Sequence, residues 1–197
     1  MEFVSDVQTY QNLLAEPSLW QEMAENVTLP DVFWNELVRF SSLRLVACLP
    51  CKIFALKRLF HRTMQALGLP KVKVKFHPFR AGHTYMLDRG EVHFCKQFLF
   101  FDPYEKNVAM ALHELAHVYL SKQEGYGRLL ALDGEFINCL KAPSQTVIAP
   151  VEFYANVLAN AWLAEVAERL PQEKRAVALQ QERVFVQEKL AKAIDEL

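Results

Sequence analysis

Val108-Ala109-Met110-Ala111-Leu112-His113-Glu114-Leu115-Ala116-His117-Val118-Tyr119-Leu120 decides how this 197-residue chain is read. An apolar run interrupted only by two histidines and one glutamate reads as one buried helix. Residues four apart share a helical face, so the imidazoles of His113 and His117 can reach a single metal ion. Glu114 then stands beside that ion, placed to take a proton from metal-bound water. Five letters alone also fit a core helix with two incidental histidines, so the surroundings must decide.

Upstream, Asp102 is the expected N-cap of this helix, Pro103 its first residue and Glu105 the reciprocal capping group. The helix should run to about Ser121. Before it, Lys71-Val72-Lys73-Val74-Lys75-Phe76 alternates lysine with apolar residues at period two, the mark of a half-buried strand. Further extended segments are expected at Thr84–Leu87 and Glu91–Cys95, joined through Asp88-Arg89-Gly90 as a hairpin. Phe98–Phe101 is either a fourth short strand or the approach to the helix. The first third reads as helical, over residues 5–15, 18–26, a segment capped by Asp31, and about Pro50 to Leu67. Gly68-Leu69-Pro70 is the stop signal of the last. Downstream, Gly125-Tyr126-Gly127 is a loop, Leu129–Leu140 a short helix, and about Pro150 to Leu170 a longer one. Gln172–Leu197 reads as a charged helix whose apolar stripe docks on the domain.

A catalytic zinc site takes three protein ligands and keeps a fourth position open. Glu124, Asp133, Glu135 and Glu152 are the downstream candidates. Glu152 has the strongest context: Glu152, Ala155, Asn156 and Ala159 share one helical face, and small residues there permit a close helix approach. Asn156 would give a hydrogen bond that supports a ligand.

His113-Glu114-Leu115-Ala116-His117 followed by Glu152-Phe153-Tyr154-Ala155-Asn156-Val157-Leu158-Ala159 resembles the ImmA/IrrE family of zinc metallopeptidases over roughly residues 70–165. The resemblance implies an α+β, zincin-like fold, with a small, mostly antiparallel sheet packed on the motif helix. It implies Zn2+ held by His113, His117 and Glu152, Glu114 as catalytic base, and a protein substrate of the transcriptional-repressor class. The expected organisation is a helical region at 1–69, a core at 70–170 and a docked C-terminal helix at 171–197.

In such chemistry zinc lowers the pKa of water towards about 7 and polarises the scissile carbonyl. Glu114 takes the proton and passes it to the leaving amine. The tetrahedral oxyanion needs a further donor. His83, Tyr85, His93, Tyr126 and Tyr154 are the candidates, and sequence does not rank them. Cys48-Leu49-Pro50-Cys51 lacks the strand-helix-strand surroundings of a redox pair, and Cys95 and Cys139 are isolated. All four are expected to be buried structural thiols.

Charge is uneven along the chain. Residues 1–36 hold seven acids and no Lys or Arg, whereas residues 37–87 hold ten Lys/Arg and no acid. The favoured explanation is that the two segments neutralise one another within the molecule. Nucleic acid is the less favoured partner. No apolar run approaches the roughly 20 residues that span a bilayer. The acidic start does not resemble a secretory leader, so a cytoplasmic, non-membrane protein is expected. Sequence leaves the oligomeric state open. A second reading of the same residues is a non-catalytic module on a zincin scaffold, whose basic 37–87 block holds nucleic acid or an acidic protein.

Overall fold

The computed structural model describes residues 2–16, 28–42, 49–78, 84–101, 104–139 and 148–169. They form an α+β structure: α1 (Val7–Ala15), α2 (Asp31–Ser42), α3 (Leu49–Ala66), β1 (Lys73–His77), β2 (Thr84–Met86), β3 (Glu91–Cys95), α4 (Lys96–Phe101), α5 (Tyr104–Leu120), α6 (Tyr126–Cys139) and α7 (Pro150–Arg169). The chain divides into two compact units, Met1–Val27 with Leu120–Leu197, and Thr28–Tyr119. No helix among the described residues is long and apolar enough to cross a membrane.

In the unit formed by residues 28–119, α3 ends as its sequence dictates. Gly68 adopts φ +66°, while the Leu69 N–H donates to Met64 O at 2.9 Å and the Gly68 N–H to Gln65 O at 3.2 Å. This is a Schellman cap, which satisfies two carbonyls the last turn would leave open. The sheet order is β1-β3-β2. β3 runs parallel to β1 from Lys73–Glu91 to His77–Cys95, and antiparallel to β2 from Thr84–His93 to Met86–Glu91. The hairpin expected around Asp88-Arg89-Gly90 is therefore present, closed by the 3-10 turn Leu87–Arg89 and Gly90 at φ +56°.

The sheet is mixed, which corrects the expectation of a mostly antiparallel one. The tight turn forces β2 and β3 to oppose each other. The longer connection between β1 and β3 leaves room for a parallel return. Side-chain alternation marks which face is buried but carries no strand direction. One sheet face is apolar: Val74, Val92 and Phe94 are buried. On it Phe94 lies face to face with Phe76 at 5.6 Å and meets Phe60 of α3 edge-on at 5.9 Å. The other face carries Lys75, Glu91 and His93. The segment Phe98–Phe101 is helical, as part of α4, rather than a fourth strand.

In the other unit, Asp6 caps α1 by accepting the Thr9 N–H at 2.8 Å. Tyr10 of α1 is fully buried and donates its hydroxyl to Ile148 O at 2.7 Å. Its ring meets Phe136 of α6 and Phe153 of α7 edge-on at 5.0 and 5.7 Å. Burial holds this phenol protonated, raising its pKa above the ordinary value, with the Asp133 charge adding to the effect. At the start of α7, the Val151 N–H donates to Asp133 Oδ1 at 2.9 Å. The expected segments at 18–26 and 172–197, together with the capping residues Asp102 and Pro103, lie outside the described residues.

Candidate metal centre

α5 carries His113, Glu114 and His117 in the interior that its apolar composition predicts. Leu112, Leu115, Ala116 and Val118 are all buried, as are Glu114 (2 % exposed) and His117 (7 %). His113 is half-buried. The one-turn spacing sets Nε2 of His113 3.1 Å from Nε2 of His117, with the rings edge to face. A tetrahedral zinc with Zn–N bonds of about 2.0–2.1 Å requires its ligand nitrogens roughly 3.3 Å apart. The two imidazoles come within a few tenths of an ångström of that separation, through the same nitrogen of each ring.

Glu152 lies in the first turn of α7, where the helix dipole favours a carboxylate. Its side chain is exposed. Two imidazole nitrogens and one carboxylate oxygen form a donor set suited to zinc. Glu114 follows His113 directly, and its Oε2 is fully enclosed.

The other candidates fall elsewhere. Asp133 is engaged in capping Val151, a role that no local pattern announces, because its partner lies 18 residues away. Glu124 and Glu135 are exposed. Asn156 sits one turn beyond Glu152 on α7, half-buried, beside the buried Ala155 and Ala159.

Among the oxyanion candidates, His83 and the side chain of Tyr85 lie outside the described residues. Tyr126 is buried at the first position of α6. Tyr154 is fully buried, meets Phe3 edge-on at 5.1 Å, and its oxygen accepts the Val4 N–H at 3.0 Å. Burial raises its pKa. His93 belongs to a hydrogen-bonded chain on the sheet: Lys75 Nζ reaches Glu91 at 2.7 Å, Glu91 Oε2 lies 2.9 Å from His93 Nε2, and His93 Nδ1 lies 2.9 Å from His77 Nε2. The Lys75 and His93 hydrogen bonds hold the Glu91 carboxyl at about 2, well below its ordinary 4.5.

Cys95 is buried as expected, but Cys51 and Cys139 are exposed. This corrects the reading of all four cysteines as buried thiols. Cys51 lies in the first turn of α3 beside the exposed Pro50, and Cys139 ends α6. Cys48 lies outside the described residues.

A charge cluster in α2 and α3 was not foreseen from the sequence. Glu36 is only 3 % exposed, within 2.9 Å of Arg39, 2.8 Å of Arg58 and 3.8 Å of Arg62. The spacings of Arg39 three residues after Glu36, and of Arg62 four after Arg58, were the available signal. Part of the basic block is thus neutralised inside its own unit. Comparison of the chain with protein-family models, with curated proteins and with solved structures gives no match.

Proposed function

We propose that the chain is a zinc-dependent peptidase of narrow specificity, of zincin-like architecture, acting on an intracellular protein. The observation that carries this reading is the 3.1 Å approach of the Nε2 atoms of His113 and His117 on α5, with the enclosed Glu114 next in sequence to one of them. A purely structural metal site has no need of that adjacent glutamate. His113, His117 and Glu152 would hold the ion, and Asn156 would support Glu152 one helical turn on. When bound, zinc supplies Lewis-acid polarisation of a carbonyl and a more acidic water. Glu114 takes the proton of the attacking water on its carboxylate and returns it to the leaving amine. The buried walls of α5 strengthen that carboxylate's interactions by keeping bulk water away. The resemblance to repressor-cleaving metallopeptidases suggests a transcriptional repressor as substrate.

The test is a proteome-wide comparison of new protein N-termini in cells expressing the native chain or Glu114→Gln. Cleavages present only with the native chain, while both proteins carry equal zinc, support the reading. Identical profiles across growth and stress conditions, at full zinc loading, would contradict catalysis.

A further inference from the structure

The α2–α3 pair carries a second cluster whose chemistry is unrelated to the metal ligands. Burying the Glu36 carboxylate calls for one cationic partner, yet Arg39, Arg58 and Arg62 all lie within 4.0 Å of it, leaving a local excess of positive charge. Their side chains are 60 %, 36 % and 53 % exposed. Arg58 and Arg62 both approach Glu36 through Nε. The Arg58 Nε lies 2.8 Å from Oε2 of Glu36 as an ion pair. A guanidinium presented by its Nη pair is a planar fork that matches phosphate oxygens.

The same helix face holds a large exposed aromatic ring. Phe54, Arg58 and Arg62 stand at i, i+4 and i+8 on α3, in steps of about 6 Å along the axis. Phe54 is 67 % exposed, an unusual position for phenylalanine without a partner. Lys57 is exposed one residue from Arg58. On α4, which packs against α3, the half-exposed Phe100 ring lies 5.7 Å from Lys52 Nζ. Residues 37–87 contain no acid to offset these cations. Cationic forks interleaved with an open aromatic face fit phosphates and unstacked bases together. An acidic peptide would use the charges but has no use for the flat ring.

We propose that the Phe54/Arg58/Arg62 face of α3 binds single-stranded nucleic acid, with backbone phosphates on the arginine forks and a base against Phe54. This site is independent of the peptidase reading. Its test is fluorescence anisotropy of a labelled single-stranded oligonucleotide of about twelve nucleotides, with the full-length chain, across a salt series. Binding should weaken as salt rises. Arg62→Gln and Lys57→Gln, both at exposed positions, should each flatten the log–log salt slope by roughly 0.7 for every phosphate no longer neutralised. Phe54→Ala should weaken binding by roughly tenfold with the slope unchanged. Thermal melts matched to the native chain establish that each variant is folded. Glu114→Gln should bind as the native chain does, which separates this site from catalysis. The proposal is overturned if no salt-dependent binding occurs at low salt, or if Arg62→Gln and Phe54→Ala leave affinity unchanged. It is also overturned if a duplex of the same sequence binds as tightly. Competition by polyglutamate equal to that of the oligonucleotide, with Phe54→Ala silent, would instead assign the face to an acidic protein.

Discussion

Replacing Asp133 with alanine tests the framework that sets Glu152 in place. The first N–H groups of a helix have no acceptor within it, and Asp133 Oδ1 takes up the one on Val151 at 2.9 Å. Loss of a side-chain cap of this kind costs about 0.5–2 kcal/mol. The carboxylate's charge near the α7 N-terminus accounts for about 0.3–1 kcal/mol of that. Asp133 is half-buried, so its capping bond is partly shielded from competing water. A loss of about 1.5 kcal/mol should lower the melting temperature by roughly 3–6 °C for a chain of this size. Asp133→Asn keeps an acceptor oxygen and loses only the charge, so it should cost about 0.3–1 kcal/mol, less than alanine. The assay is urea unfolding of the metal-free chain with all three proteins side by side. Zinc affinity, measured by competition with a chromophoric chelator, should also fall in Asp133→Ala, because Glu152 follows Val151 directly. The reasoning fails if Asp133→Ala unfolds at the native urea concentration, or if Asp133→Asn is as damaging as alanine.

Two further outcomes follow from local structure. Gly68→Ala forces a Cβ into the left-handed region at φ +66° and should cost about 1–2 kcal/mol, read from the urea midpoint, although open space surrounds the site. Glu91, whose carboxyl is held at about 2 against an ordinary 4.5, binds fewer protons folded than unfolded between those values. Its contribution is therefore fully present above about 4.5 and is lost as pH falls towards 2. Urea midpoints of the native chain and Glu91→Gln should differ most above that window and converge through it. A gap that widens on acidification would reverse the assignment.

What was legible in the sequence is what local chemistry writes there. The Gly68 cap, the Asp88-Arg89-Gly90 reversal and the apolar setting of His113 and His117 depend on neighbours a few residues away. The direction of β1 against β3 was not legible, because alternation is the same for parallel and antiparallel strands. Nor was the role of Asp133: sequence offered a carboxylate among several, and only the three-dimensional approach to Val151 separates a cap from a ligand. His93 and Tyr154 were equally open as oxyanion donors until the structure placed one on Glu91 and the other on Val4. The same limit applied to Glu36, whose burial among arginines brings together residues from two helices.

The central claim rests on three side chains, and zinc stoichiometry tests it most directly. Elemental analysis of chain purified without chelator should find about one zinc per molecule in the native protein, Glu114→Gln and Glu135→Ala. His117→Ala and Glu152→Ala should retain little or none after the same dialysis. Full zinc in Glu152→Ala, with loss in Glu135→Ala, would contradict the site proposed for this chain.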